Sequence, residues 1–180
     1  MIITQAWSMI KITSPEFHLQ FPRLPDNKLA GLMMVPQARL QAETLEQRLL
    51  GTDGLFAAHA PDGKRQVPTP RDQAAVLWAV SNLILAGTSP RKDYWHAAYR
   101  NLTDADDYRG LSDKSLAAVV ALPPTTAADR GLVIEALGRF ALATRESGPR
   151  QRALELARGY AEALQGDPGT GLEDLGLAVY

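Results

Sequence analysis

Two aspartates occupy the same place in two similar segments of the chain. Asp72 follows Thr69 by three residues, and Asp129 follows Thr126 by three residues. This spacing is typical of a capping box, in which a threonine and an acidic side chain bind the free backbone N–H groups at the start of a helix. A carboxylate there also interacts favourably with the helix dipole. We therefore predict capping for Asp72 and Asp129, and the alternative is a functional role for the two carboxylates.

A histidine is the third candidate for catalysis. His59 lies between predicted turns at Asp53-Gly54 and Asp62-Gly63, in a segment that is predicted to be a loop or a short hairpin around Asp62-Gly63. A histidine side chain there can donate a proton or bind a metal ion. No second histidine stands at the spacing of a zinc ligand pair, so we expect no metal site.

An aromatic run supplies the candidate ligand-binding residues. Tyr94, Trp95 and His96 are consecutive. We expect His96 to be partly exposed at the edge of an aromatic cluster, and the alternative for this run is stacking against a sugar ring. Trp78 lies at the centre of an apolar helical pattern and is predicted to belong to the core, where its indole N–H needs one acceptor.

The composition argues against several classes of function. The 180 residues include 19 basic and 20 acidic side chains and no cysteine. A nucleic-acid-binding protein needs a basic surface to neutralise phosphates, and thiolate metal sites need cysteine. No Gly-rich phosphate loop, Gly-x-Ser-x-Gly or His-Glu-x-x-His motif is present. We therefore expect no nucleic-acid partner and no cofactor.

The distribution of apolar residues predicts where in the cell the chain is located. No apolar run approaches the ~20 residues of a membrane-spanning helix, so we expect no membrane association. The first residues lack the basic and apolar regions of a signal peptide, which favours a cytoplasmic location for the chain as given.

The pattern of apolar residues divides the chain in two. In residues 1–35, short apolar stretches are separated by prolines, and Phe17, Leu19 and Phe21 alternate with polar neighbours. This alternation predicts a short β-rich segment. Residues 36–180 have helical periodicity and are predicted to form a helical-hairpin domain, so that the fold is mainly α with antiparallel hairpins. Helices are predicted to begin near the following residues: Thr69, Ser89, Ser112, Thr126 and Pro149.

Two of these helices have similar sequences. Apolar residues after Thr69 recur after Thr126 at an offset of 57 positions, and Pro90 aligns with Pro149 at an offset of 59. Both an internal repeat of hairpins and two independently capped amphipathic helices fit this pattern.

Residues 50–165 resemble part of an (α/α) toroid, the architecture of six-hairpin glycosidases and epimerases. The resemblance rests on the extended loop before residues 70–87, on the Trp78-Ala79 step within them, and on the link that ends at Pro149-Arg150. It implies a bowl of inner helices whose mouth binds a sugar polymer. A complete toroid has about twice as many helices as this chain is predicted to have.

The toroid resemblance assigns acid–base roles to residues near the starts of inner helices. The matching positions are Asp72, Asp129 and either Glu173 or Asp174. A glycosidase with paired carboxylates needs one protonated acid and one ionised partner.

Residues 137–168 also resemble tetratricopeptide repeats, which are protein-binding scaffolds. The similarity lies in Leu137-Gly138 and Pro168 and in the apolar pattern between them, although the link from residue 144 to 149 is longer than in those repeats.

The function predicted from these features is association. We expect a non-catalytic helical-hairpin module that binds a protein partner or a second copy of itself, within a larger assembly. The alternative is an (α/α)-toroid-like domain that binds or processes a saccharide polymer. If it is an enzyme, we expect it to act on glycosides.

Overall fold

The computed structural model describes residues 2–14, 28–92 and 94–167, and these residues are mainly helical. A π-helical turn (Leu45–Leu49) extends the second helix, and a 3-10 turn (Ala105–Tyr108) precedes the fifth. Within these ranges, no helix combines the length and the apolar content needed to cross a membrane. The seven α-helices of the described residues are α1 (Ile2–Thr13), α2 (Lys28–Thr44), α3 (Pro70–Thr88), α4 (Tyr94–Leu102), α5 (Arg109–Ala121), α6 (Ala127–Ala143) and α7 (Ser147–Gly166).

Helix α3 is the centre of the fold. Most of its residues are buried, and helices α1, α4, α5 and α6 pack around it. Alanines at positions 74, 75 and 79 have no measurable exposure, and such small side chains allow close approach from several directions. Trp78 is buried and meets Trp7 of α1 edge to face, with 5.6 Å between ring centroids. The predicted core position of Trp78 is confirmed.

The predicted β-rich segment is wrong where the structure describes it. Residues 2–13 form α1, and its buried residues Ala6, Met9, Ile10 and Thr13 recur at the three- and four-residue spacing of a helix. This face packs against α3. The alternating stretch at residues 17–21, on which the strand prediction depended, lies outside the described residues.

Helix α2 passes through Pro36, which the sequence suggests as a break. A proline inside a helix removes one backbone hydrogen bond and crowds the preceding turn. Pro36 nevertheless lies on the exposed side, while Val35, Ala38 and Ala42 on the opposite side are buried. The burial of that face offsets the cost of the proline, and α2 runs across the predicted boundary between residues 35 and 36.

The loop between the π-helical turn and α3 contains the two predicted Asp-Gly turns, and both are confirmed. Gly54 and Gly63 have φ angles of 76° and 82°, in the left-handed region that glycine adopts readily. The aspartate before each glycine accepts a hydrogen bond from the backbone N–H two residues later, at 3.1 and 3.0 Å. An antiparallel bridge between His59 and Arg65 closes the predicted short hairpin.

Two helix starts differ from prediction. Helix α4 begins at Tyr94, after an extended link that contains Pro90, and not near Ser89. Ser112 lies inside α5, which follows directly from the 3-10 turn at Tyr108. The predicted starts near Thr69 and Thr126 are confirmed, because α3 and α6 begin one residue later.

Candidate functional site

The starts of α3 and α6 are capped in the same way. The Thr69 hydroxyl accepts a hydrogen bond from the Asp72 backbone N–H at 3.1 Å, and the Thr126 hydroxyl accepts one from the Asp129 N–H, also at 3.1 Å. In α3, Pro70 follows the cap at a position that needs no N–H donor. The predicted capping role of the two threonines is confirmed.

The two aspartates are held differently. The Thr69 hydroxyl donates to Asp72 Oδ2 at 2.7 Å. Burial raises the pKa of the Asp72 carboxyl, because it disfavours the charged form, and the hydrogen bonds from Thr69 oppose that shift. Asp129 instead forms an ion pair with Arg71, whose Nε lies 3.1 Å from Asp129 Oδ1.

The Arg71–Asp129 pair joins the start of α3 to the start of α6. At the other end of the two helices, Ile84 of α3 and Phe140 of α6 line the same small cavity. The two helices therefore lie side by side and run in the same direction. Their capping threonines, Thr69 and Thr126, are 57 positions apart, which is the offset seen in the sequence.

An open cleft of about 440 Å³ lies at these helix starts. Arg71, Asp72 and Asp129 form its helical side, and loop residues Gln66 and Val67 lie on its other side. The cleft thus brings together the two carboxylates that the sequence singled out. Chemically, it contains one buried carboxyl with a raised pKa and one carboxylate paired with a guanidinium.

The loop beside the cleft is fixed to α3 by Gln73. This fully buried side chain accepts a hydrogen bond from the Phe56 N–H at 2.9 Å and donates one to the Phe56 carbonyl oxygen at 2.9 Å. Farther along the loop, Arg65 binds Asp53 with two hydrogen bonds of 2.8 Å, and this contact lowers the pKa of the Asp53 carboxyl. Gln73 is not among the residues predicted from the sequence, although a glutamine among apolar residues in a helix is a visible signal.

His59 is not part of the cleft. Its neighbour Ala58 lines the cleft, but His59 is exposed and its backbone pairs with Arg65. Among the described residues, no three histidine or acidic side chains cluster in a way that could hold a metal ion.

The aromatic run lies on α4, and His96, whose side chain is described, does not line the cleft. The side chains of Tyr94 and Trp95 lie outside what the structure describes. His96 is 1% exposed, so the expectation of a partly exposed histidine is wrong. The reason is visible in the spacing, because His96, Tyr99 and Thr103 follow one another at helical intervals and all three are buried.

A second candidate surface lies on the outer side of α6. We call it the α6 seam and define it as Gly131, Glu135, Gly138 and Leu142, which are spaced four, three and four residues apart. Leu142 is 70% exposed. A Cβ atom built on Gly138 would meet no other atom within 4 Å. The seam therefore combines a projecting apolar side chain with an open position on one helical face.

Charge is also present on this side of α6. Arg139 donates a hydrogen bond from Nε to Glu135 Oε1 at 2.6 Å. The side chains of Arg139 and Glu135 are 32% and 27% exposed, and the guanidinium carbon of Arg139 lies 6.0 Å from the centre of the Trp78 ring.

The comparisons with family models, with curated proteins and with solved structures found no match to this chain.

Proposed function

We propose that this chain is a helical module that associates with a second copy of itself through the α6 seam. The observation that carries this proposal is the 70% exposure of Leu142 on a helix whose other side packs against α3 and α7. Burying one leucine side chain contributes about 1.5–3 kcal/mol. A symmetric contact counts this gain twice, because the same patch is used on both copies.

A second copy suits the seam because of the pattern of its residues. Leu142 near one end projects, Gly131 near the other end has no side chain, and Glu135 and Arg139 supply both signs of charge between them. A surface of this kind can complement itself when it is rotated by half a turn. The finer architecture belongs to the same proposal: α6 and α7 form an antiparallel hairpin, since three residues connect them.

The test is the oligomeric state of the full chain as a function of concentration. Sedimentation equilibrium from about 1 µM to about 1 mM covers association free energies of about 4–8 kcal/mol. We expect a reversible monomer–dimer equilibrium within that range. A chain that stays monomeric throughout contradicts the proposal.

A matched pair of variants locates the contact. Leu142→Glu places a charge on the seam and should weaken dimerisation at least ~10-fold. Val67→Glu makes a similar change at a residue that is 85% exposed in the loop beside the cleft, and it should leave dimerisation unchanged. Equal weakening by both variants would show that the seam is not the contact.

A second candidate function is the binding or processing of a saccharide polymer at the cleft. The observation in its favour is that Asp72 and Asp129 line one open cleft in unlike environments, one buried and one paired with Arg71. Paired carboxylates with unlike environments are what glycoside hydrolysis uses. A relationship to (α/α) toroids belongs to this second candidate function, and a relationship to tetratricopeptide repeats belongs to the first.

Titration with neutral oligosaccharides tests this second candidate. Backbone amide resonances of Gln66 and Thr69, which line the cleft, should shift in two-dimensional NMR spectra of the full chain. The Asp72→Asn variant should reduce those shifts. Spectra that do not change at about 10 mM oligosaccharide, well above a weak Kd of ~1 mM, would exclude saccharide binding at the cleft.

A further inference from the structure

We infer that two copies pair with their α6 helices antiparallel and exchange the Glu135–Arg139 ion pair across the contact. This inference rests on the proposed self-association and specifies its geometry. It follows from three features of the α6 seam: its spacing, the placement of its large and small residues, and its charges.

The spacing makes the seam a helix-pairing face. Intervals of four, three and four residues between Gly131, Glu135, Gly138 and Leu142 are those of the contact positions of a heptad repeat. Such positions stay on one side of a helix over three turns. The seam therefore presents a continuous line along which a second helix can lie.

The placement of large and small residues favours the antiparallel direction. The seam is symmetric about its midpoint, so antiparallel pairing places Leu142 of each copy against Gly131 of the other. Parallel pairing would place the two Leu142 side chains together and would leave the glycines opposite each other with an unfilled gap. Close packing without voids is the more stable arrangement.

The charges favour the same direction. Antiparallel pairing brings Glu135 of one copy beside Gly138 and Arg139 of the other, so that opposite charges meet twice. Parallel pairing would bring Glu135 next to Glu135. Within one chain, the two side chains already bond at 2.6 Å and remain partly exposed. Each therefore retains an exposed side that a second copy can reach.

Charge reversal tests the direction of pairing. A chain that carries Glu135→Lys together with Arg139→Glu keeps opposite charges in an antiparallel pair with itself, but it meets like charges when it pairs with the original chain. We expect the reversed chain to dimerise with an affinity within about threefold of the original. In an equal mixture, native mass spectrometry should find mixed dimers at well below roughly half of all dimers, the share expected without preference.

A control reversal uses an ion pair elsewhere on the surface. Lys114 and Glu46 lie 2.7 Å apart, and their side chains are 52% and 42% exposed. Reversing both charges should leave mixing with the original chain at roughly half of all dimers. Mixed dimers that reach or exceed this share with the seam reversal would overturn antiparallel exchange, because parallel pairing predicts a preference for the mixed dimer.

A second variant tests the direction of pairing in case the charge reversal at Glu135 and Arg139, which lies near Trp78, disturbs folding. Gly138→Leu adds a side chain at an open position of a helix and should leave the single chain folded. In an antiparallel dimer the new leucine faces Glu135 of the other copy, so dimerisation should weaken at least ~10-fold. Tighter dimerisation would indicate parallel pairing and contradict the inference. If the original chain never dimerises, the proposed function itself fails.

Discussion

Replacing Gln73 by leucine should destabilise the whole fold, because Gln73 fixes the cleft loop to the central helix. The side chain has no measurable exposure and forms hydrogen bonds of 2.9 Å with both the N–H and the carbonyl oxygen of Phe56. Phe56 is itself fully buried. Leucine has a similar size but no polar atoms, so the substitution removes both bonds and leaves the two backbone groups without them.

The size of the effect follows from these two groups. Each buried backbone group that loses its hydrogen bond costs about 1–3 kcal/mol, which gives about 2–6 kcal/mol in total. Gln73 Nε2 also donates a third bond, to the Thr69 carbonyl oxygen. Losing this bond adds nothing to the cost, because that oxygen keeps its helical bond from the Gln73 backbone N–H. For a domain whose stability is typically about 5–15 kcal/mol, this is a large fraction.

Urea unfolding followed by circular dichroism measures this loss, and thermal unfolding should show a Tm lower by about 6–12 °C for a loss of about 3 kcal/mol. Gln151→Leu is the matched control, because Gln151 is exposed on α7 and bonds to Glu155 at 2.9 Å. The control should change the free energy of unfolding by less than about 0.5 kcal/mol. A Gln73→Leu variant as stable as the control would refute the role given to Gln73.

Three further predictions concern stability. Tyr99→Phe removes the 2.8 Å bond from the buried tyrosine hydroxyl to the Ile12 carbonyl oxygen, and urea titration should show a loss of about 1–3 kcal/mol. Thr126→Ala removes one N-cap and should cost about 1 kcal/mol by the same titration. Thr69→Ala removes a cap and also the 2.7 Å bond to Asp72, so it should cost about 0.5–1.5 kcal/mol more, and equal losses would argue against a stabilising role for that bond. The pKa of the Asp72 carboxyl is raised above 3.8 in the folded state, so the folded chain binds the Asp72 proton more strongly than the unfolded chain does. The stability that comes from this stronger proton binding is lost as pH rises through the folded pKa. Between about pH 4 and pH 7 the original chain should therefore lose stability relative to Asp72→Asn, and a difference that does not vary with pH would contradict this.

Local chemistry made part of the structure predictable. The caps at Thr69 and Thr126 and the turns at Gly54 and Gly63 each depend on residues within a few positions of one another. Their preferences are intrinsic to a hydroxyl near free N–H groups or to a residue without a Cβ atom. The rest of the chain does not need to be known for such features.

The prediction for residues 2–13 and 28–35 is wrong because the signals in residues 1–35 conflict. Prolines and short apolar stretches suggest strands, but the spacing of Ala6, Met9 and Ile10 is helical and would have indicated α1. Pro36 suggests the end of a helix, but α2 continues through it. A proline on the exposed side of a helix is tolerated when tertiary packing holds the opposite side, and this packing is not visible locally.

The geometry of the cleft depends on contacts that are distant in sequence. Arg71 and Asp129 are 58 residues apart, and they meet because α3 and α6 pack in parallel. No local pattern distinguishes Arg71 from a solvated arginine at a helix start. The sequence thus predicts which carboxylates lie at the helix starts. It does not predict that Arg71 pairs with Asp129 and so gives the two carboxylates unlike environments.

The links after α3 and after α6 show where local and distant determinants separate. Sequence alignment pairs Arg91 with Arg150, and Arg150 does donate to the Thr144 carbonyl oxygen at 2.6 Å in the link after α6. In the link after α3, however, Arg100 plays this part and donates to the carbonyl oxygens of Ser89 and Arg91 at 2.6 and 2.7 Å. Both arginines satisfy carbonyls near a helix C-terminus, where backbone acceptors lack helical partners. The link before α4 is longer, and the arginine that binds its carbonyl oxygens, Arg100, lies more than one helical turn into α4. The starts of α3 and α6 are therefore alike because each is fixed by its own cap, whereas the positions of α4 and α7 depend on the length of the links before them.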